Sequence, residues 1–251
     1  MESVTSRKNP YVSYLRALGT DAALRRSSGE TVLDGVKLLR EALSSGAEVT
    51  GVLCRPGSAL PDGLNCRIYS APAELVSYAS PVKNSPGPVF SVRMPNPARP
   101  EPVHGAVVLE DMQDPGNVGT LIRTANALGI DAVILVGGCA DRLSPRAVRA
   151  SMGAAFRQYV CECGCAELPA LLADMRLTLY GAALSDKAVD LRKLDLDGTA
   201  VAIGNEGHGL SRELLDLCAG QLIIPMVPGS ESLNAAAAGA VVMWEMARGR
   251  L

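Results

Sequence analysis

The fold class is decided by residues 106–136, which read AVVLEDMQDPGNVGTLIRTANALGIDAVILV. Two short apolar runs, Ala106–Glu110 and Ala132–Val136, are predicted to be buried strands. Between them, Asn117–Leu128 carries apolar residues at helical spacing, and Asn117 is the predicted N-cap of that helix. A strand, a helix and a second strand in this order indicate neighbouring parallel strands in an α/β sheet.

The same alternation continues to the end of the chain. Further helices are predicted at 145–151, 168–175, 211–217 and 232–248, and strands at 177–182, 199–203 and 221–225. Ser232 is the predicted cap of the last helix, whose small residues would allow very close packing on a neighbour. Ligands of parallel sheets bind beyond the carboxyl ends of the strands, so the loops after Glu110, Ile203 and Ile224 should carry the site.

The residues before this sheet are predicted to form a separate, small α/β unit. Helices are expected from Asn9-Pro10, after Asp34 as a cap, and at Ala71–Tyr78; strands are expected at 31–33, 49–54 and 89–92. A proline-rich stretch, RMPNPARPEP at 93–102, follows and is typical of a semi-rigid linker. The predicted organisation is a first domain at 1–96, a linker at 97–103 and a second domain at 104–251.

The formal net charge of −2 conceals an asymmetry between the two halves of the 251-residue chain. Residues 1–100 hold 12 Lys and Arg against 8 Asp and Glu, a net charge of +4. Residues 101–251 hold 12 against 18, a net charge of −6. The split arises by chance in some two-domain chains, but it also indicates that the first half alone meets a polyanion.

Several function classes are excluded or disfavoured by what the sequence lacks. It has no G-x-G-x-x-G fingerprint and no phosphate-binding P-loop, which disfavours a nucleotide-dependent oxidoreductase. Only two histidines occur, and 4% of residues are aromatic, which is thin for a protein that reads bases by stacking. The apolar runs are too short to span a bilayer and the N-terminus is polar, so we expect a cytoplasmic protein without membrane contact.

Seven cysteines are present, and three of them form the cluster Cys161, Cys163 and Cys165. An odd number of cysteines favours reduced thiols. The C-x-C-x-C spacing is unusual for zinc, and no second pair or histidine lies nearby, so alternating strand residues are the favoured interpretation and a metal site the alternative.

Three segments that follow predicted strands carry the information about function. They read NVGTLIRTA at 117–125, IGNEGHGL at 203–210 and IPMVPGSESLNAAAAGA at 224–240. Each alone is explained by ordinary structure, as a helix cap, a glycine-rich turn or a capped helix. In this order and spacing they resemble the three motifs of the SpoU class, the TrmH-like branch of the SPOUT RNA methyltransferases. The stretch SMGAAFR at 151–157 also resembles that family.

The resemblance covers about residues 104–248 and implies a fold. It implies a C-terminal SPOUT α/β domain with a parallel sheet and a deep trefoil knot. Residues 7–43 are similar to the small L30e-like α/β domain that precedes it in many members and binds substrate RNA. It further implies a homodimer through the C-terminal domain, with sites at or near the interface.

The resemblance also implies an activity, which is methylation of a ribose 2′-hydroxyl in structured RNA. S-Adenosylmethionine would be the methyl donor and S-adenosylhomocysteine the product, with no metal. Ribosomal RNA is favoured over tRNA because of the extra domain. The alternative is a catalytically silent RNA-binding or ribosome-assembly factor on the same fold, which the complete polar set of the motifs argues against.

Site residues follow from the positions that match the family motifs. The catalytic polar set is Asn117, Arg123, Glu206, Ser232 and Asn234. The cofactor-binding set is Gly204, Ile224, Met226 and Leu233. The candidate contacts to RNA phosphates in the basic half are Arg7, Lys8, Arg16, Arg25 and Arg26.

Arg123 is the residue that the resemblance assigns to activating the ribose hydroxyl. An arginine is normally permanently charged, which makes it a poor proton acceptor. A cation can nevertheless stabilise a developing alkoxide and hold a phosphate through two hydrogen bonds. We therefore expect Arg123 to be essential, whether or not it takes the proton itself.

Overall fold

The computed structural model describes residues 1–227, 229 and 232–250. The chain divides into two compact units. The first comprises Met1–Asn96 together with Asp141–Arg157, and the second comprises Pro97–Ala140 together with Gln158–Leu251. The predicted domain boundaries at 1–96 and 104–251 stay a prediction, since the segment 141–157 clusters with the first unit.

The first unit is built on a mixed five-stranded sheet in the order β1-β4-β3-β5-β2. Strand β5 is antiparallel to β2 and β3, and β4 is parallel to β1 and β3. The elements are β1 (Glu2–Ser3), α1 (Pro10–Thr20), α2 (Ala22–Ser28), β2 (Glu30–Asp34), α3 (Val36–Ser44), β3 (Glu48–Cys54), β4 (Arg67–Ser70), α4 (Ala73–Ala79) and β5 (Val89–Arg93).

Local signals explain where the first helices begin. The side chain of Asn9 accepts hydrogen bonds from the backbone N–H groups of Tyr11 and Val12, and Pro10 occupies the first turn, as predicted. The prediction that Asp34 caps α3 is wrong. Gly35 is the N-cap there and offers no side chain, whereas the Asp34 carboxylate accepts hydrogen bonds from the hydroxyls of Ser80 and Ser85.

The second unit is built on a seven-stranded sheet in the order β10-β12-β9-β11-β6-β7-β8, with each recorded pairing parallel. Its core strands are buried, as expected for a sheet covered on both faces. The elements are β6 (Gly105–Glu110), α5 (Pro115–Ala127), β7 (Ala132–Val136), β8 (Tyr159–Cys163), α7 (Leu168–Met175), β9 (Thr178–Ala182), β10 (Val189–Asp190), β11 (Thr199–Ile203), α8 (Arg212–Leu217), β12 (Gly220–Ile223) and α9 (Ala235–Ala247). Helix α6 (Pro145–Ala150) belongs to the first unit.

The predictions that Asn117 caps α5 and that Ser232 caps α9 are wrong, because a residue nearby in sequence is the cap in each case. Helix α5 begins at Pro115, and the carboxylate of Asp114 accepts from the Gly116 N–H, so Asn117 lies inside the first turn. Helix α9 begins at Ala235 and is capped by Asn234 instead of Ser232. The side chains of Asn117 and Ser232 are therefore not used to cap a helix and can make other contacts.

The prediction that the last helix packs very closely on a neighbour is confirmed. Helix α9 lies against α5, and a Cβ on Gly239 would come within 2.3 Å of Leu121 Cδ2. Glycine therefore sets the distance between the two helices. Among the described residues, no helix is both long and apolar enough to cross a membrane.

Candidate active site

The carboxyl ends of β6, β11 and β12 meet at one edge of the seven-stranded sheet, as the strand order predicts. The loops after β6 and β11 are joined directly. Asn205 Nδ2 donates to the backbone carbonyl of Asp111 at 2.8 Å, and Asn117 Nδ2 donates to Glu206 Oε1 at 2.8 Å. Two of the motif segments are thus held together by side chains about 90 residues apart in sequence.

A cavity of about 690 Å³ opens beside these loops. Its walls come from the ends of β9, β11 and β12, the loop after β11 and the start of α9. All four residues predicted to bind the cofactor line it, as do three of the predicted catalytic residues: Gly204, Ile224, Met226, Leu233, Glu206, Ser232 and Asn234. Three residues of the third motif, Pro228, Ser230 and Glu231, lie outside the described residues.

The loop after β11 is a closed turn that needs glycine at its first position. Asn205 and Gly209 exchange two backbone hydrogen bonds, of 3.1 and 3.0 Å. A Cβ on Gly204 would lie 2.2 Å from the Gly209 carbonyl carbon and 2.3 Å from Leu210 N. Backbone atoms cannot move aside as a side chain can, so Gly204 serves the closure of this loop as well as lining the cavity.

A chain of three polar side chains runs along the mouth of the cavity. Asn234 uses Oδ1 to cap α9 and points Nδ2 toward Asn117 Oδ1, at 3.5 Å. Asn117 in turn donates to Glu206. An amide that accepts on one side and donates on the other has a fixed orientation, and the chain therefore presents the Glu206 carboxylate in a defined position.

Arg123 stands apart from this chain. It is exposed on α5, six residues after Asn117, and at about 100° per residue it points to a different face of the helix. It does not line the cavity, and among the described residues its guanidinium has no recorded hydrogen-bond or ion-pair partner. Of the five predicted catalytic residues, the structure groups four and leaves Arg123 available for a ligand or a second chain.

Glu110, the last residue of β6, was not among the predicted site residues. Its side chain is buried and accepts hydrogen bonds from the Ser211 N–H at 2.7 Å and the Ser211 hydroxyl at 2.6 Å. Ser211 also caps α8, so the pair fixes the start of α8 beside the loop after β11. A carboxylate ending an otherwise apolar strand was the available signal, because buried charges must be paired.

The cysteine cluster lies on and just after strand β8. Cys161 and Cys163 lie on β8, which confirms the interpretation as alternating strand residues for these two, and Cys165 lies in the turn that follows. Burial raises the pKa of Cys139 to about 11, and burial together with nearby carboxylates raises the pKa values of Cys165 and Cys218 to about 11. Within the described residues, no group of three His, Cys, Asp or Glu is placed to hold a metal ion.

The predicted phosphate contacts of the first unit differ in their exposure to solvent. Arg7, Lys8, Arg16 and Arg26 are exposed. Arg25 is only 5% exposed, and its guanidinium is bound to Asp141 and to the Leu18 carbonyl. The prediction that Arg25 contacts phosphate is therefore corrected, because its hydrogen-bonding capacity is used inside the unit.

The sequence is similar to a known protein family and to individual proteins. Residues 105–244 match the model of the SpoU rRNA Methylase family. A Synechocystis protein named as an uncharacterized tRNA/rRNA methyltransferase is 33% identical over 98% of this chain and 93% of its own length. The 23S rRNA (guanosine(2553)-2′-O)-methyltransferase RlmP of Bacillus subtilis is 28% identical over 98% of this chain and 99% of its own.

Solved structures are similar over both units. An S-adenosylmethionine-bound rRNA methyltransferase from Sinorhizobium meliloti superposes with a TM-score of 0.88 at 27% identity, covering 100% of this chain and 98% of its own. The SpoU methyltransferase AviRb from Streptomyces viridochromogenes, also in complex with S-adenosylmethionine, gives 0.87 at 26% identity, covering 97% and 98%.

Proposed function

The chain belongs to the SpoU rRNA methylase family, and we propose that it is an S-adenosylmethionine-dependent methyltransferase acting on a ribose 2′-hydroxyl of structured RNA. Ribosomal RNA is favoured over tRNA, because the B. subtilis relative that aligns over nearly its whole length is named for 23S rRNA. The observation that carries the proposal is the cavity lined by all four predicted cofactor-binding residues, with Asn117 and Glu206 hydrogen-bonded at its edge. The comparisons do not support the catalytically silent alternative.

The cavity suits a nucleoside cofactor in size and lining. Its volume of about 690 Å³ falls within the range of roughly 300–1,000 Å³ that is usual for small-molecule sites. Ile224, Met226 and Leu233 offer apolar surface for the adenine, and the turn beginning at Gly204 offers backbone groups. When bound, S-adenosylmethionine supplies a methyl group on a sulfonium, which is an electrophile for in-line displacement by an oxygen.

The polar residues have separate tasks in this proposal. Asn117 and Asn234 hold the Glu206 carboxylate at the mouth of the cavity, where it can accept hydrogen bonds from the substrate ribose. Arg123 holds the adjacent phosphate and stabilises the developing oxyanion while the hydroxyl proton passes to solvent water. Ser232 lines the cavity and would orient the cofactor tail or the loop.

We propose further that the active form is a homodimer through the second unit. Helix α9 exposes apolar residues at helical spacing, with Val241 40% and Trp244 54% exposed, whereas Met243 is in the core. The stripe lies on α9, which also packs against α5, the helix that carries Arg123. A second copy on this face would cover the stripe and bring Arg123 to the cavity of its partner.

A cytoplasmic location completes the proposal. None of the seven cysteines, all in the described part of the chain, forms a disulfide. Unpaired cysteines and an RNA substrate are both typical of the cytoplasm.

Methyl transfer to purified RNA tests the function. We expect the protein to transfer labelled methyl from S-adenosylmethionine to an unmodified 23S rRNA transcript, at one 2′-O position found by ribose-methylation mapping. Arg123→Ala should lower kcat about 100-fold or more, and Arg123→Lys should also be impaired because the two-pronged contact is lost.

Arg212→Lys is the matched control, because Arg212 is exposed on α8 and has no assigned role. Calorimetry should show unchanged cofactor affinity in all variants. Methylation of a base, or no methylation of ribosomal RNA, would overturn the proposed function. Full activity of Arg123→Lys would be compatible with the proposed function, but it would contradict the proposal that Arg123 holds the phosphate through two hydrogen bonds.

A further inference from the structure

The first unit contains a cavity of its own, of about 540 Å³. It lies between the segment before α1, the end of β3, helix α4 and the loop before β5. The polar residues lining it are Arg7, Arg55, Glu74, Ser77, Tyr78, Asn84 and Ser85. Arg55, Ser77 and Asn84 lie outside the family motifs and were not among the predicted phosphate contacts.

Arg55 is the fixed cation of this cavity. Its Nη2 donates to the Ser85 carbonyl at 3.0 Å, and Ser85 is itself anchored through its hydroxyl to the Asp34 carboxylate. The Nε of Arg55 is buried and has no hydrogen-bond partner among the described residues. A buried N–H without an acceptor costs free energy, so this guanidinium has binding capacity that the protein does not use.

Arg7 is the second cation, and an aromatic ring orients it. Its Cζ lies 4.5 Å from the ring centroid of Tyr78. Arg16 lies 5.0 Å from the same centroid and donates through Nη1 to the Tyr78 carbonyl at 3.2 Å. Cation–π contacts of this length restrict the position of the Arg7 guanidinium. They use the face of the guanidinium, so its N–H groups can still donate hydrogen bonds within its own plane.

We propose that this cavity binds one backbone phosphate of the substrate RNA, with Arg7 and Arg55 as its charged donors and Ser77 and Asn84 as neutral ones. Guanidinium groups with unused donors match the tetrahedral oxygens of a phosphate. The assignment rests on the proposed function, which makes RNA the substrate. It also gives the basic first half of the chain a defined contact point in place of a diffuse charge.

Glu74 makes the proposal sharply testable, because it places a carboxylate in the same lining. A negative charge beside a bound phosphate is repulsive, so its removal should strengthen binding. Arginine and glutamate substitutions in one cavity are thus expected to change affinity in opposite directions. A purely structural role of the cavity would not produce this pattern.

The experiment measures the affinity of the full-length protein for an unmodified 23S rRNA transcript over a range of salt concentrations. We expect Arg7→Ala and Arg55→Gln each to raise Kd about tenfold and to reduce the slope of log K against log salt by about one. Glu74→Gln should lower Kd a few-fold. Arg55→Lys, which keeps the charge, serves as a second variant should Arg55→Gln fold poorly.

Arg67→Ala is the matched control, since Arg67 is an exposed arginine on β4 outside the cavity lining and should bind RNA as the wild type does. Unchanged Kd and salt slope in the Arg7 and Arg55 variants would overturn the phosphate site, as would failure of the wild type to bind the transcript. Saturation of the cavity by inorganic phosphate without competition from RNA would also overturn it. RNA binding without methylation would refute the proposed function alone.

Discussion

Arg25 and Arg26 are neighbours on α2 with opposite surroundings. Arg25 Nε lies 2.7 Å from Asp141 Oδ2, and its Nη1 donates to the Leu18 carbonyl at 2.6 Å. Arg26 is exposed and carries its charge in water. A buried guanidinium that loses its carboxylate leaves an uncompensated charge, whereas an exposed one loses little.

We therefore expect Arg25 to matter for stability and Arg26 to matter only for contact with RNA. Asp141→Ala, which leaves Arg25 unpaired, should lower the free energy of unfolding by about 3–5 kcal/mol. Arg26→Ala should change it by less than about 0.5 kcal/mol. Urea denaturation followed by far-ultraviolet circular dichroism measures both, and equal stability of the two variants would contradict the role assigned to the ion pair.

The sequence could not have separated these two arginines. They share a residue type and a helix, and Asp141 lies 116 residues from Arg25, so no local pattern records the pairing. The contact of Asn117 with Glu206 spans a comparable distance, yet both residues were predicted as site residues. The difference is that motif order carries information about a site, whereas a single buried ion pair leaves no motif.

At the scale of elements, the approach of α9 to α5 depends on one glycine. Gly239 faces Leu121, with no room for a methyl group at the observed separation. The same two helices carry Asn234 at the start of one and Asn117 in the first turn of the other. Their spacing therefore sets the length of the Asn234–Asn117 contact and the position of Glu206 beyond it.

Gly239→Ala should accordingly destabilise the protein by about 1–3 kcal/mol through overpacking. Combined with Leu121→Ala, which vacates the space that the new methyl group needs, the loss should be smaller than the sum of the two single losses. Gly249→Ala is the control, since nothing lies within 4 Å of a Cβ placed there. Thermal unfolding of Gly239→Ala, Leu121→Ala, the double variant and Gly249→Ala measures the coupling, and additive losses would show that the two residues do not compete for space.

Most elements of the second unit were predictable because apolar spacing and length agree there. Strand β7 and helix α7 occur at the predicted residues, as does β11. Helix α2 and strand β4 were missed, since seven and four residues are too short for a periodic signal. For α2, the pair of Asp21 as cap and Gly29 in the left-handed conformation at its end was the usable signal.

At the scale of the whole molecule, the proposed dimer would complete a site that one chain leaves open. A single subunit supplies the cavity and the hydrogen-bonded side chains of Asn234, Asn117 and Glu206, but its own Arg123 lies outside this group. The exposed stripe of Val241 and Trp244 supports a second copy as the occupant of the α9 face. The trefoil knot implied by the family resemblance stays a prediction.

Trp244→Asp should convert the proposed dimer to a monomer, because a carboxylate cannot be buried in an apolar interface without a partner. Sedimentation equilibrium should then report a mass near 26.2 kDa in place of twice that value. Methyl transfer should fall with it. Leu217→Asp is the control for the mass measurement, because Leu217 is an exposed apolar residue on α8 and not on α9. A wild-type monomer with full activity would contradict the proposal.

The composition of the first unit from Met1–Asn96 and Asp141–Arg157 has a consequence during synthesis. The ribosome makes the chain in order, so the first 96 residues exist for a time without the segment that completes their unit. About 45 further residues separate the two parts, which is roughly 2 to 9 seconds at common translation rates. During that interval Arg25 has no Asp141 to pair with, and the nascent unit lacks a stretch of sequence that is made only after part of the second unit.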